Sequence, residues 1–285
     1  MRVICHGGAG GAPDEPKPRQ AVLDDAASTG AAESDAVDAA VSAVEVLEES
    51  PRFNAGVGGA VQSDGVVRTD AGLMTSDRDA GAVASMTGVA NAAAAARVVM
   101  AETPHVLVVA DHAEALAADY GVDTDRDLLT DESRERFADE EPPDGGPADH
   151  LAWLRERFGG HDTVGAVAYD PDADEYAACT STGGRFFALA GRVGDVPQIG
   201  SGFFAAPAGG ASATGAGEDI AKATLSRRAV RHLEAGLDAQ AAADRALDEF
   251  GELTGSDAGV IVLGDGDAGS AYNTDGMQTS VATSR

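Results

Sequence analysis

Apolar runs of strand length alternate with segments of helical period on both sides of one long polar stretch. That alternation leaves layered folds, with helices covering packed sheets, as the natural class. Arg2 to His6 reads as a buried strand entering a flexible turn, His6-Gly7-Gly8-Ala9-Gly10-Gly11. A helix is expected from Ser34 to Glu49, capped by Ser34, with Asp35 and Asp38 in its first turn and Val37, Val41 and Val44 at helical spacing; Pro51 ends it. Strand-like segments near Val66-Val67 and from Ala80 to Ala84 lead to an Ala-rich helix, Asn91 to Glu102, and a buried strand, His105 to Ala110. In the second half, Thr163 to Tyr169 and Glu175 to Thr180 read as strands around Asp170-Pro171-Asp172, and their weak polar alternation predicts burial on both faces. Helices from Gly217 to Gly236 and Asp238 to Phe250 precede a strand pair at Ala258 to Leu263 and Ser270 to Tyr272. No period of about 20 to 50 residues repeats, which argues against a solenoid.

The polar stretch runs from about Val122 to Gly160 and reads as a mobile acidic linker with a short helix near Leu151 to Phe158; Pro142-Pro143-Asp144-Gly145-Gly146-Pro147 excludes regular structure. The formal net charge is -28, and Lys17 and Lys222 are the only lysines. Such a surface repels phosphate backbones and anionic membranes, so neither nucleic acid nor membrane is expected as a partner. It suits concentrated salt, where screening within a few ångströms removes self-repulsion, and the chain reads as halophilic. No stretch approaches the roughly 20 apolar residues of a membrane span. Met1 leads straight into Val3-Ile4-Cys5 without a signal-peptide pattern, so the expected address is the cytoplasm. Cys5 and Cys179, the only cysteines, make neither a disulfide framework nor a zinc site.

Familiar catalytic signatures fail on inspection. Pro13 follows Gly8-x-Gly10 where a dinucleotide fingerprint needs a small residue, and no Gly-Lys-Ser/Thr completes a P-loop. Ser181 lacks the flanking glycines of a serine elbow. The six histidines show no metal-ligand spacing. His161-Asp162-Thr163-Val164-Gly165 differs, because a polar linker delivers the chain abruptly to a threonine opening a buried strand. Alone, Thr163 is an ordinary β-branched strand residue. Three polar islands downstream change that reading: Thr180-Ser181-Thr182-Gly183-Gly184, Gly191-Arg192-Val193-Gly194-Asp195 and Ala213-Thr214-Gly215-Ala216-Gly217-Glu218.

With these residues in place, the chain resembles the N-terminal-nucleophile (Ntn) asparaginases, which comprise plant-type L-asparaginase, isoaspartyl peptidase and glycosylasparaginase. His6-Gly7-Gly8-Ala9-Gly10 resembles the family's opening, Phe53-Asn54-Ala55-Gly56 an internal loop, and Asn273-Thr274-Asp275-Gly276-Met277 the closing motif. The resemblance implies an α+β fold, the four-layer αββα Ntn-hydrolase sandwich, as one structural domain. It implies autocleavage between Asp162 and Thr163 into an α subunit, 1–162, and a β subunit, 163–285, assembling as (αβ)₂. By the same resemblance Thr182 orients Thr163, Thr214 and the Gly215 N–H form the oxyanion hole, and Asn54 orders the nucleophile or oxyanion. Arg192 clamps the substrate α-carboxylate, while Asp195 and the Gly217 carbonyl take the α-ammonium. Chemistry requires no cofactor, but a structural sodium ion is implied on carbonyls of Leu47, Glu48, Ser50, Phe53, Ala55 and Val57. Ser50 and Arg52 depart from the usual pattern of that loop.

A threonine hydroxyl needs a base, and an exposed α-amino group, with an ordinary pKa of about 7.7 to 8.0, can serve. That amine exists only after the chain is cut. The resemblance therefore implies an amidohydrolase of L-asparagine and β-aspartyl dipeptides. Asp162 stands where plant-type members carry glycine and resembles glycosylasparaginases, which keeps a glycosylamine leaving group as the alternative. An unprocessed, catalytically silent relative is the other reading.

Overall fold

The computed structural model describes residues 1–155 and 163–284. Up to residue 155 the elements are β1 (Arg2–Gly10), α1 (Pro16–Ala31), α2 (Ala36–Glu48), β2 (Thr69–Thr75), β3 (Ala80–Met86), α3 (Ala92–Glu102), β4 (Leu107–Val109), α4 (Ala110–Asp119), α5 (Asp131–Asp139) and α6 (Pro147–Arg155). From Thr163 onward they are β5 (Val164–Asp170), β6 (Glu175–Thr182), β7 (Phe203–Ala206), β8 (Gly209–Gly215), α7 (Gly217–Ala223), α8 (Leu225–Glu234), α9 (Ala239–Thr254), β9 (Ala258–Gly264), β10 (Asp267–Tyr272) and β11 (Gly276–Thr283).

Strands β11-β1-β5-β6-β2-β3-β4 form one sheet and β10-β9-β8-β7 another. Every pairing is antiparallel except β3 with β4. The sheets face each other through Ile4, Met74, Val167, Ala178, Phe203, Ala205, Ile261 and Leu263. Helices α1 to α3 cover the outer face of the larger sheet, and α8 and α9 that of the smaller. This is the expected αββα sandwich. Because a Cβ at Gly72 would overlap the buried Phe203 ring, glycine lets the sheets approach there. Burying such a ring contributes on the order of 2–3 kcal/mol.

The departures from the sequence reading have local causes. The glycine-rich opening is strand rather than turn as far as Gly10, because β11 pairs with it across a bulge between His6 and Ala9. Strand β11 escaped notice because it is polar and only half-buried, as in Gln278, Thr279 and Ser280. Helix α1 went unread because its buried face is mostly small, and Gly30 lets it approach α2: a Cβ there would lie 2.5 Å from the Ala39 carbonyl. Asp35, not Ser34, caps α2, accepting from the Asp38 N–H at 2.8 Å. The strand expected from His105 to Ala110 shrinks to β4, an edge strand with Leu107 and Val109 exposed.

The polar stretch is not irregular throughout. Thr130 and Ser133 cap α5 reciprocally, and Pro147 opens α6, where its missing N–H costs nothing. The expected end of that helix at Phe158 lies outside the described residues. The helix expected from Gly217 to Gly236 breaks at Thr224, whose φ of 53° is left-handed.

Candidate active site

Two sheet ends and one loop build the site. Thr163, 6% exposed, immediately precedes β5. Thr182 ends β6, whose register sets Val164 opposite Ser181. From the smaller sheet, β8 brings Gly215 to the pocket, with Thr214 next to it in sequence but outside the pocket wall, and Gly217 opens α7. Thr163, Thr182, Gly184, Arg185, Arg192, Gly194, Asp195, Gly215 and Gly217 line one pocket of about 10 Å³. That is room for roughly one water molecule. A groove of about 930 Å³ lined by Gly8, Phe53, Asn54, Arg136 and Phe186 among others is a second cavity.

Gly215 has φ 134°, and a Cβ would lie 2.5 Å from the Asp257 carbonyl, so a side chain is both strained and obstructed there. Thr214 is fully buried, and its Oγ1 accepts from the Ala9 N–H at 3.3 Å. A hydroxyl that accepts there retains its own proton for donation. Thr182 Oγ1 accepts from the Gly184 N–H at 3.1 Å. Asn54 lies outside the pocket wall and shapes the loop behind it, donating to the Gly184 carbonyl at 2.6 Å and accepting from the Ala60 N–H at 2.8 Å.

Arg192 and Asp195 are both largely buried, in an irregular segment rather than on a helix. Arg192 Nε donates to Glu218 Oε1 at 2.7 Å, and Arg185 stands 3.6 Å from the same carboxylate. Asp195 Oδ2 is buried without a hydrogen-bond partner among the described residues. Burial pushes Asp195 up to about 7, with Arg192 opposing the rise. A Cβ at Gly217 would lie 2.6 Å from Asp195 Oδ1 and 2.9 Å from Arg192 Nη2, so glycine keeps this charged corner open. The corner offers a cation and an anion side by side, complementary to an α-amino acid zwitterion.

Three neighbours were given no role by the sequence reading. Glu218 closes the third polar island but gave no spacing signal toward Arg192. Asp70 lies opposite Thr182 through the β2–β6 register, and burial pushes it up to about 7, opposed by the Ser85 N–H and Arg192. Arg185 stands just past the second glycine of Gly183-Gly184 and carried no motif of its own. Asp162 lies outside the described residues.

At the sodium loop, the Leu47, Glu48 and Ser50 carbonyls accept from the Ser50, Val57 and Phe53 N–H groups. The carbonyls of Phe53, Ala55 and Val57 accept no backbone hydrogen bond among the described residues. Left-handed Gly56 and Gly58, φ 54° and 89°, fold the loop tightly around them. Of the six implied donors, these three oxygens are the ones left open to a hard cation, the other three being engaged by the backbone. Among the described residues no cluster of three or more His, Cys, Asp or Glu side chains forms a metal site.

A family model described as asparaginase matches residues 1–285. The plant-type L-asparaginase of Pyrococcus abyssi is 40% identical, over 97% of this chain and 94% of its own length. That of Pyrobaculum calidifontis is 41% identical, over 96% and 94%. The isoaspartyl peptidase/L-asparaginase of Danio rerio is 38% identical, over 92% and 85%. With this similarity spanning both sheets and every element of the pocket, the chain belongs to the asparaginase family.

Proposed function

We propose that the protein is an autoprocessing threonine amidohydrolase that cleaves the side-chain amide of L-asparagine and of β-aspartyl dipeptides. The observation that carries this reading is the Arg192–Asp195 corner sharing one small pocket with Thr163. In the precursor, Thr163 Oγ attacks the Asp162 carbonyl carbon, the C–N bond breaks, and the nitrogen takes the proton. The Thr163 amine is thereby free, and water then hydrolyses the resulting ester, releasing the Asp162 carboxylate and restoring the Thr163 hydroxyl. The two segments stay together because β1, from before the cut, pairs with both β5 and β11, from after it.

In the mature site the amine accepts the hydroxyl proton as Oγ attacks the substrate amide carbon. The Gly215 N–H and the free proton of Thr214 Oγ1 meet the oxyanion, and each such donor is worth roughly 10²–10³ in rate. Ammonia or an amine departs with the proton, and water cleaves the β-aspartyl ester. Thr182 orients the nucleophile, and Asn54 acts through the Gly183–Gly184 backbone. Arg192 holds the α-carboxylate, and Asp195 with the Gly217 carbonyl holds the α-ammonium. Turnover of asparagine, β-aspartyl dipeptides and glycosyl-asparagine by the cut protein tests the substrate class. Rapid hydrolysis of the last alone, which Asp162 would favour, overturns it for glycosylasparaginase.

The carboxylate states set a pH dependence. Substrate binding needs Asp195 ionised, which fails below about 7, and chemistry needs the Thr163 amine neutral, which fails below the ordinary α-amino value of about 7.7 to 8.0, so both are lost on the acid side. Log kcat/KM should therefore fall with a slope approaching two proton equivalents on the acid side. In Asp195→Asn the slope should drop by one at much lower activity; Arg192 and Glu218, which face that position, keep their charge, and Asp70, also pushed up to about 7 by burial, titrates in both proteins. A wild-type slope of one would remove Asp195 from the ionisation.

A sodium ion on the 47–57 loop would stabilise the backbone presenting Asn54 and supply no chemistry. Exchanging sodium for choline should then lower Tm by a few degrees; an unchanged Tm overturns the site. The acidic surface we read as adaptation to concentrated salt, in the cytoplasm, with the cut protomers paired as (αβ)₂. Among the described residues, no helix is long and apolar enough to cross a membrane.

A further inference from the structure

The proposed chemistry uses no histidine, yet one is buried beside the nucleophile. His6 on β1 is fully buried and pairs in register with Gly165, two residues after Thr163. Its Nε2 lies 2.8 Å from Ser212 Oγ on β8. Ser212 Oγ lies 2.7 Å from Thr180 Oγ1 on β6, and Thr180 Oγ1 donates to the Gly202 carbonyl at 3.0 Å.

A carbonyl only accepts, which orders the whole chain. Thr180 gives its proton to Gly202, Ser212 gives its own to Thr180, and His6 Nε2–H donates to Ser212. That assigns the neutral imidazole to its Nε2–H tautomer. Burial pushes the ring down to about 3, with the Thr163 backbone opposing and the Arg19 charge reinforcing, so it carries no proton charge at any working pH. The ring thus lies near the Thr163 backbone, but Nδ1 has no partner in hydrogen-bond geometry among the described residues.

The three side chains form a row under the catalytic one. Side chains two apart on a strand share a face. Thr180 therefore stands behind Thr182 on β6, Ser212 behind Thr214 on β8, and Gly165 behind Thr163 on β5. Gly165 leaves the space the row occupies: a Cβ there would overlap Ser212 Oγ and lie 2.6 Å from His6 Nε2.

Resting on the reading above, we propose that His6, Ser212 and Thr180 are positioning residues that fix the gap between the sheet bearing Thr163 and the strand bearing the oxyanion donors. The bonds join β1 and β6 of one sheet to β8 of the other one row behind the reacting atoms. A loosened row lets the nucleophile and the donors drift apart without touching the Arg192–Asp195 corner, so kcat should suffer and KM should not.

The test uses cut protein bearing His6→Phe, Ser212→Ala, both together, or His6→Gln, which returns an N–H near Nε2. Asparagine kinetics and melting are measured against wild type. A drift of about 1 Å costs on the order of 10²-fold, so His6→Phe and Ser212→Ala should each lower kcat by about that factor with KM within roughly threefold. The double variant should be no worse than the poorer single, because one chain is broken either way. His6→Gln should recover most of the loss. If His6→Phe does not fold, Ser212→Ala and His6→Gln carry the test. A folded Ser212→Ala with wild-type kcat, equal changes in kcat and KM, or losses that multiply in the double variant would overturn the proposal. A wild type that turns over no aspartyl amide sinks the functional reading instead, and the positioning claim then stands or falls on the rate of backbone scission by intact mass.

Discussion

Thr163→Ala should give one unbroken polypeptide of 285 residues that turns over no asparagine. Both losses have the same cause. The hydroxyl is the nucleophile for scission and for hydrolysis, and the amine that serves as base in the second reaction is a product of the first. Removing a covalent nucleophile costs on the order of 10⁶-fold in other hydrolases, so residual turnover should sink into background. The fold should survive. Thr163 is nearly buried, but its replacement deletes only a hydroxyl and a methyl, a loss of about 1 kcal/mol by large-to-small arithmetic, so melting should shift by only a few degrees. Because β1 joins the two segments across the cut, native mass or gel filtration cannot detect scission, and denaturing intact mass is the measurement. Thr163→Ser, which keeps an Oγ, should restore both reactions at reduced rate. An alanine variant that still cuts itself, or still hydrolyses asparagine once uncut, removes Thr163 from the role.

The site was more legible in the sequence than the fold that holds it. Thr163, Thr182, Gly215, Arg192, Asp195 and Gly217 stand in motifs whose residue types are rare together, and folding gathers all six around one pocket. Periodicity located α2, α3, α9 and β9 because each buries an apolar face. It missed β11 and β8, rich in Gly, Ser, Thr and Gln, whose place is fixed by pairing: β11 with β1 at the other end of the chain, β8 with its neighbour β7 and with β9. It missed Glu218 and Asp70 for a related reason. Their importance lies in one cation, Arg192, approached from another sheet strand and another helix, and no local spacing records such a meeting. His6 was dismissed as one of six scattered histidines; only the register with Gly165 reveals what its ring faces.

Arg192→Ala should separate binding from processing. The side chain holds Glu218 at 2.7 Å and lies within the electrostatic reach of Asp195 and Asp70. Its removal leaves those three carboxylates with Arg185 as the remaining nearby cation among the described residues, and a substrate carboxylate entering the pocket then meets repulsion where it met a fork of donors. Truncating one partner of a buried charge pair costs about 2–5 kcal/mol, so kcat/KM for asparagine should fall by roughly 10²–10³-fold, most of it in KM. Losing the cation that holds Asp195 down also moves that carboxyl further up, shifting the acid limb of the pH profile to higher pH. Arg192→Lys should recover less than about tenfold, since an ammonium on a flexible stem does not reproduce planar two-point recognition. Backbone scission, which has no α-carboxylate to clamp, should continue, and denaturing mass should still show two fragments. That pairing of intact processing with lost turnover distinguishes a substrate clamp from a structural strut: a strut would lower Tm and slow scission as well. Unchanged KM in a folded, processed Arg192→Ala protein would mean that the α-carboxylate is held elsewhere, and with it the case for a free amino-acid substrate in this pocket would fail.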